Sequence, residues 1–275
     1  MPIPHEPRAV VTGAGSGLGR AFCLELAARK ARILAADINL AAAEETVRLV
    51  EAAGGKAIAH RCDVADPEQV EGLATTIEEA YGAADLVINN AGVAVGGTIG
   101  KVPLEDWRWI MGINLWGVIY GCHVFAPRFK SRGNGHIINV ASAAGLLAAP
   151  EMGPYNVTKS GVVALSETLS AELAGTGVVV TVLCPTFFKT NIARAAHSHT
   201  ETGTPDDIEK LMNRASLQAP EVARFALDTA DAGELYAVPH ADGRWMWRLK
   251  RLLPETFQTK IVPGAIHRMQ RFRSK

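Results

Sequence analysis

The sequence lacks an excess of charge of either sign. Its 275 residues contain 28 Lys and Arg against 28 Asp and Glu, so the formal net charge is zero. A protein dedicated to nucleic acid usually carries a strong basic excess, and we therefore expect no nucleic-acid partner. Charged residues make up only 20% and hydrophobic residues 48%, which excludes a disordered chain and provides enough apolar side chain for a full core.

Cysteine is scarce, and the sequence has no C-x-x-C pair. The four cysteines are scattered along the chain: Cys23, Cys62, Cys122 and Cys184. A disulfide framework or a zinc site is therefore not expected, and reduced thiols in the cytoplasm are the default. The N-terminal residues MPIPHEPRAVVTG contain no basic start followed by an apolar core, so no signal peptide is predicted.

Long uncharged stretches are also scarce. Ile110–Pro127 carries no full charge over 18 residues, which makes it a candidate for a membrane span. It contains the polar residues Asn114 and His123 together with three glycines, however. We predict that this stretch is a helix buried in protein.

Short apolar runs alternate with longer amphipathic stretches. The predicted strands are Arg8–Thr12, Arg32–Ala36, Ala57–Cys62, Asp85–Asn89, His136–Val140 and Val178–Leu183. The predicted helices are Leu18–Lys30, Leu40–Ala53, Pro67–Tyr81, Leu104–Ser131 and Met152–Thr176. This alternation indicates right-handed βαβ units and hence an α/β protein with a doubly wound parallel sheet, a Rossmann fold. We expect one domain over residues 1–239 and a basic amphipathic extension over residues 240–275.

Two segments depart from the alternation. Thr186–Pro205 follows a strand and is rich in Thr, His and Ala, which predicts a long loop or lid. Its His197 and His199 could touch a substrate, although solvated loop histidines are the commoner case.

The C-terminal extension carries nine Lys and Arg against Asp242 and Glu255, a net charge of +7. Its Trp245, Leu249 and Leu252 recur at helical spacing. Three interpretations stay open: a helix that covers a subunit or the substrate pocket, a helix on a membrane surface, and a loosely ordered tail.

A glycine-rich turn, Thr12–Gly19, joins the first predicted strand to the first helix. Glycines allow a sharp turn and a close approach to a phosphate, which the N–H groups of the helix start attract. The spacing does not match a strict G-x-G-x-x-G pattern, and a purely structural turn is the alternative.

Asp37 lies at the end of the second strand, 18 residues after Gly19. A carboxylate at this distance is suited to a ribose 2′-hydroxyl and would repel a 2′-phosphate, which favours NAD over NADP. The alternative is a helix N-cap ahead of Leu40–Ala53.

Tyr155 and Lys159 are spaced i, i+4 and therefore share one face of a predicted helix. A free tyrosine titrates near pH 10, and a neighbouring ammonium would lower its pKa toward the range useful for proton transfer. Ser142 follows the strand His136–Val140 and could place its hydroxyl beside Tyr155.

Taken in order, these motifs resemble the short-chain dehydrogenase/reductase family, in its short single-domain branch. The resemblance covers Arg8 to about Pro239. It rests on Thr12–Gly19, Cys62-Asp63-Val64, Asn89-Asn90-Ala91-Gly92, Asn114, Ser142, Tyr155-x-x-x-Lys159, and Pro185 with Thr190. One departure is Thr186, where the family usually has glycine.

The resemblance implies a role for each of these residues. Four would be catalytic: Asn114, Ser142, Tyr155 and Lys159. Tyr155 would be the general acid/base, Lys159 would lower its pKa, Ser142 would hydrogen-bond the substrate oxygen, and Asn114 would hold a proton-relaying water. The cofactor-binding set would be Gly13, Ser16, Gly17, Leu18, Gly19, Asp37, Asp63, Val64, Asn90, Ala91, Gly92, Tyr155, Lys159, Pro185 and Thr190.

The function expected from the resemblance is an NAD-dependent oxidoreductase acting on a secondary alcohol or its ketone. Val93–Val95, Ala143–Met152 and Phe187–Phe188 are mostly small or apolar, which favours a hydrophobic or aryl substrate. The alternatives are a 3-oxoacyl thioester reductase and a non-catalytic NAD-binding regulator. We expect a cytoplasmic homodimer or homotetramer, with membrane-surface contact through the extension as an open alternative.

Overall fold

The computed structural model describes residues 2–189, 192, 196–199 and 215–264. The strands within these ranges are β1 Arg8–Thr12, β2 Arg32–Asp37, β3 Lys56–Arg61, β4 Leu86–Asn89, β5 Val95–Gly97, β6 Gly135–Val140, β7 Val178–Leu183, β8 His197–His199 and β9 Tyr236–Ala237. Seven of them form one parallel sheet in the order β3-β2-β1-β4-β6-β7-β9, and β5 pairs with β8 apart from it. The predicted doubly wound parallel sheet is confirmed.

Most of the helices lie between successive strands, and the last two follow β9. The helices are α1 Gly17–Ala28, α2 Leu40–Ala52, α3 Pro67–Tyr81, α4 Leu104–Met111, α5 Gly117–Arg132, α6 Ala143–Leu147, α7 Gly153–Glu172, α8 Ala219–Asp231, α9 Ala241–Leu252 and α10 Pro254–Thr256. Local chemistry sets their ends, as α3 illustrates. The Asp66 side chain accepts the N–H of Glu68 at 2.9 Å, and Pro67 at the first helical position has no N–H to satisfy.

Helices cover both faces of the sheet, because successive strand residues point to opposite sides. In β1, Val11 belongs to one buried cluster with Leu26 of α1 and Leu227 of α8. Its neighbour Val10 belongs to a second cluster with Phe125 of α5. The central strands are therefore buried on both faces, which explains their continuous apolar sequences.

The helix predicted over Leu104–Ser131 is interrupted by five π-helical residues, Gly112–Trp116, between α4 and α5. Within the described part of the chain, Leu104–Arg132 is the one helical stretch whose length and composition would suit a membrane span, and half of its apolar window is buried in the fold. Phe125 and Phe129 on this stretch are fully buried against the sheet. This burial is that of a core helix, as expected for Ile110–Pro127.

Two elements after residue 215 were not predicted. Helix α8 packs on α1 beside the sheet, and its Pro220 and the Gln218–Glu221 capping box define where it starts. Strand β9 has only two residues, which is too short to produce a periodic signal. The extension predicted from residue 240 begins with α9 at Ala241. The division of the chain into residues 1–239 and 240–275 stays a prediction.

The strand order places a topological switch point between β1 and β4. From β1 the chain builds β2 and β3 on one side of the sheet, and β4, β6, β7 and β9 follow on the other. In such sheets a crevice opens at the carboxyl ends of the strands where the order reverses, and ligands bind there. The glycine-rich turn after β1 lies at this edge.

The turn after β1 requires glycine at two positions for different reasons. Gly13 has φ +65°, in the left-handed region that disfavours side chains. Gly19 is helical, but a Cβ there would lie 2.0 Å from the Gly13 carbonyl oxygen and 2.7 Å from Nδ2 of Asn90. The first turn of α1 can therefore fold over the glycine-rich turn only when residue 19 has no side chain.

Gly19→Ala should lower the free energy of unfolding by about 2 to 3 kcal/mol, because the added methyl overpacks a site walled by backbone. Gly72→Ala in α3 is the matched control. Among the described residues, and leaving out its own helical turn, no atom lies within 4 Å of a Cβ at Gly72. That substitution should raise stability by about 0.5 to 1 kcal/mol through helix propensity alone. Urea unfolding of both variants measures the difference, and equal effects would contradict the packing argument.

Candidate active site

The ends of β1 and β4 are joined at the switch point by one side chain. The Thr12 hydroxyl accepts the N–H groups of Asn90 at 3.0 Å and Ala91 at 3.1 Å. In return Nδ2 of Asn90 donates to the Thr12 carbonyl at 2.8 Å. A Cβ on Gly13 would lie 2.8 Å from the Ala91 Cα. The glycine-rich turn and the loop after β4 thus pack directly against each other.

Asp37 faces the glycine-rich turn. One carboxylate oxygen accepts the N–H of Gly15 at 2.8 Å, and the other accepts the N–H of Asn39 at 2.9 Å. The N-cap of α2 is Asn39, whose side chain accepts the N–H of Ala42 at 3.2 Å. Asp37 is therefore not the cap of α2, and its negative charge lies beside the turn.

Arg20 is a cation near this turn that sequence reasoning missed. Its guanidinium donates to the Gly15 carbonyl at 2.6 Å and forms a salt bridge with Glu45 at 3.1 Å. It also donates to the Thr46 hydroxyl at 3.0 Å. Glu45 therefore offsets the charge of Arg20, and no spacing pattern in the sequence indicated these pairings.

Asp63 and Val64 follow β3, next along the same edge of the sheet. The Asp63 carboxylate accepts the N–H of Ala65 at 3.0 Å, and the N–H of Asp63 donates to Oε1 of Gln69 at 2.9 Å. Val64 is buried, and its side chain lies 2.9 Å from where a Cβ on Gly117 would be. These contacts fix the loop against α5.

Asn114 lies in the π-helical segment and is fully buried. Its side-chain amide forms two hydrogen bonds with the backbone of Val93. Oδ1 accepts the Val93 N–H, and Nδ2 donates to the Val93 carbonyl, each at 2.8 Å. A Cβ on Gly92 would lie 3.3 Å from Oδ1 of Asn114 and 3.6 Å from Nζ of Lys159. Asn114 therefore orients the loop that passes next to Lys159.

Ser142, Tyr155 and Lys159 meet beside this loop. Ser142 caps α6 by accepting the N–H of Ala144 at 3.1 Å, and its hydroxyl is close enough to Tyr155 to affect the pKa of the tyrosine. Nζ of Lys159 donates to the Val140 carbonyl at 2.8 Å and lies 5.8 Å from the centre of the Tyr155 ring. The end of β6 and the first turns of α7 thus bring together the residues that the sequence proposed as a catalytic group.

Burial dominates the titration of both groups on α7. It raises the pKa of Tyr155 above 10, and the nearby Ser142 hydroxyl opposes that rise. Burial also lowers the pKa of Lys159 to about 8. In this structure Ser142, rather than Lys159, counteracts the effect of burial on Tyr155. The lowering of the tyrosine pKa by Lys159 stays a prediction.

Pro185 and Thr186 form another wall of the site. The Pro185 carbonyl accepts the N–H of Ala143 at 2.8 Å and lies 3.5 Å from the Ser142 hydroxyl. The N–H of Thr186 donates to Nδ1 of His240 at 3.3 Å. The Thr186 methyl lies 2.8 Å from where a Cβ on Gly243 would be. The unusual threonine is therefore matched by a glycine in α9. Thr190 lies outside the described residues, as does most of the predicted lid.

The described part of the extension packs beside α6. Nζ of Lys250 donates to the Leu146 carbonyl at 2.8 Å, and Nε2 of Gln258 donates to the Leu147 carbonyl at 2.9 Å. These contacts do not fit a loosely ordered tail over the described part of the extension. A helix that covers a subunit or the substrate pocket and a helix on a membrane surface both stay predictions. Residues 265–275 lie outside the described ranges.

Lys159→Met should change how stability depends on pH. Because folding lowers the pKa of this amine from 10.5 to about 8, the unfolded chain keeps a proton between these values that the folded protein has lost. The free energy of unfolding therefore gains from this group as the pH rises through that range, by at most about 1.4 kcal/mol per pH unit.

The variant should lack this gain, and urea unfolding without added ligand from pH 7 to pH 10 measures it. Lys130→Met, at an exposed position in the last turn of α5, should keep the wild-type pH dependence. Parallel curves for the wild type and Lys159→Met would show that the lysine is not perturbed.

Relatives of known sequence match most of the chain. The family model of short chain dehydrogenases matches residues 7–201. SadH of Mycobacterium tuberculosis (strain H37Rv), named as an oxidoreductase, is 33% identical over 260 residues, which cover 94% of each chain. Cyclohexanol dehydrogenase of Acinetobacter sp. (strain SE19) is 35% identical over 184 residues, or 66% of this chain and 73% of that protein.

A solved structure is also similar. The crystal structure of a short chain dehydrogenase/reductase from Burkholderia phymatum in complex with NAD has a TM-score of 0.84 to this chain, with 35% sequence identity over 91% of this chain and 95% of that chain. It shares the parallel sheet at whose edge the site described above lies. Sequence and fold therefore agree that this protein belongs to the short-chain dehydrogenase/reductase family of oxidoreductases.

Proposed function

We propose that the protein is an NAD-dependent dehydrogenase that interconverts a hydrophobic or aryl secondary alcohol and its ketone. The observation that carries this proposal is the meeting of Ser142, Tyr155 and Lys159 at the switch-point edge of the sheet. The cyclohexanol dehydrogenase relative supports the proposed substrate class, since its name describes an apolar secondary alcohol.

The residues at the glycine-rich turn fit a dinucleotide. Ser16 at the start of α1 makes no side-chain capping bond in the described structure, so the first N–H groups of the helix are available to a phosphate. Asp37 presents its carboxylate beside the turn, where it suits a ribose hydroxyl and disfavours a 2′-phosphate. Glu45 already pairs with Arg20, the neighbouring cation. NAD is therefore the proposed cofactor.

In the proposed reaction each buried polar side chain has a different role. NAD, when bound, supplies the hydride acceptor for alcohol oxidation. Tyr155 takes the proton of the substrate hydroxyl, and Ser142 donates a hydrogen bond to the same oxygen. Lys159 provides a positive charge near the tyrosine ring that stabilises the phenolate. Asn114 orients the Val93 loop beside Lys159 through its paired hydrogen bonds.

The walls of the site support an apolar substrate. Tyr155 and Trp107 pack on a buried cluster of Val95, Val102 and Ile110. Helix α6, which packs against α7, contributes a run of small and apolar residues, Ala143–Leu147. A sugar or a charged acid would leave its polar groups unpaired against these walls, at a substantial desolvation cost.

Two further properties are part of the proposal. The four cysteines are free and buried, which is consistent with a reducing cytoplasm. Trp116, the last residue of the π-helical segment, is 48% exposed, and a second copy of the chain would cover it in a homodimer or homotetramer.

Tyr155→Phe should reduce kcat for secondary alcohols at least about 100-fold, because the hydroxyl that transfers the proton is lost. Binding of NAD, measured by fluorescence titration, should stay within about twofold of the wild type. Tyr120→Phe, at a half-buried position of α5 next to Trp116, is the matched control and should keep full activity. Substantial turnover by the Tyr155 variant would remove this residue from the acid/base role.

Asp37→Ala combined with Ile38→Arg should shift the ratio of kcat/KM for NAD and NADP by about 100-fold toward NADP. The first change removes a repelling carboxylate, and the second adds a cation at a side chain that is 58% exposed. Ile38→Arg alone should have a smaller effect, since the carboxylate remains. An unaltered ratio in the double variant would show that Asp37 does not face the ribose.

A further inference from the structure

His197 and His199 share a single carboxylate in α4. Nδ1 of His197 lies 2.7 Å from one oxygen of Asp106, and Nε2 of His199 lies 2.6 Å from the other. Each histidine can donate an N–H in this arrangement whether it is neutral or charged, so both carboxylate oxygens are satisfied. Asp106 itself is 8% exposed. We call these three residues the Asp106 clamp.

Two further contacts of His197 also attach strand β8 to its surroundings. The ring of His197 stacks on Trp109 of α4, with centroids 4.2 Å apart and planes 12° from parallel. The N–H of His197 donates to the Ala94 carbonyl at 3.1 Å. The hydrogen bonds from His197 and His199 also lower the pKa of Asp106, so the carboxylate keeps its charge. The clamp therefore attaches β8 firmly to α4.

The clamp is connected to the proposed catalytic helix through β5. Strand β8 pairs in parallel with β5, and the N–H of Gly97 in β5 donates to the Glu151 carbonyl at 2.7 Å. Gly97 also bridges to Met152, three residues before Tyr155. In addition, Val95 of β5 belongs to the buried cluster on which Tyr155 packs. A shift of β8 would therefore displace β5 and the apolar cluster around Val95, which forms one wall of the proposed substrate site.

Strand pairing by itself is a weak attachment for β8. The pair has three residues on each strand, and two-stranded sheets of that size are marginal in water. A charged hydrogen bond is stronger than a neutral one, and the clamp supplies two of them to β8. The position of β8 thus depends on Asp106 more than on its own backbone bonds.

We propose that Asp106 is a positioning residue that holds β8 against β5 and so shapes the apolar wall of the substrate site. This inference rests on the proposed dehydrogenase function for its effect on activity. Among the described residues, no hydrogen bond joins the clamp to the glycine-rich turn, Ser142, Tyr155 or Lys159. The clamp therefore acts on substrate affinity and leaves NAD affinity and proton transfer unchanged.

The test compares Asp106→Ala, the double variant His197→Ala with His199→Ala, and the triple variant. Each should raise KM for an apolar secondary alcohol about tenfold, with kcat and KM for NAD within twofold of the wild type. The triple variant should be no worse than the histidine double variant, because the two histidine substitutions already remove both hydrogen bonds from β8 to Asp106. Glu105→Gln, an exposed acid one residue away in α4, and His123→Ala, an exposed histidine on α5, are the matched controls.

Hydrogen exchange of the full chain gives a readout that does not need turnover. Peptides covering residues 196–199 should lose protection in the histidine double variant, whose substitutions lie on a partly exposed strand away from the core, and should keep it in both controls. If no alcohol is oxidised by the wild type, the proposed function fails while this measurement still decides the clamp. Unchanged protection, unchanged KM, or additive effects in the triple variant would each overturn the inference.

Discussion

One hydroxyl holds the site together at the switch point of the sheet. Thr12 ends β1 and accepts two backbone N–H groups from the loop after β4, so the two strands that diverge in topology stay joined at their carboxyl ends. Because Gly13 follows Thr12, the loop can approach the turn within van der Waals contact. The proposed cofactor side of the site depends on this approach.

The proposed catalytic side of the site contains a buried lysine. Lys159 is 3% exposed, and its amine has the Val140 carbonyl as a partner at 2.8 Å. Burial of this kind opposes the charged form and lowers the pKa to about 8, which reduces stability at neutral pH. A buried lysine of this kind therefore does not increase the free energy of unfolding at neutral pH. Its placement beside Tyr155 and Ser142 is therefore best explained by chemistry, in the way perturbed groups gather at functional sites.

Much of the fold could be predicted because its signals are local. The strands β1 and β7 and the helix α3 have the predicted bounds, since apolar runs, the Asp66 cap and Pro67 mark them within a few residues. Strand β9 could not be predicted, since it is an edge strand two residues long that forms only because β7 is already present. The π-helical interruption at Gly112–Trp116 leaves the apolar pattern continuous and was also missed.

The sequence by itself determined which residues are candidates for the chemistry, because the glycine spacing and the i, i+4 pair of Tyr155 and Lys159 each lie within one turn or one helix, and Asp37 ends the next strand. Only the tertiary structure decided which groups these residues meet. It brings Ser142 to the tyrosine, matches Thr186 to Gly243, and pairs Asp106 with histidines about ninety residues away. Periodicity along a chain reports which face of an element is apolar. It carries no information about side chains that come into contact only when distant segments pack.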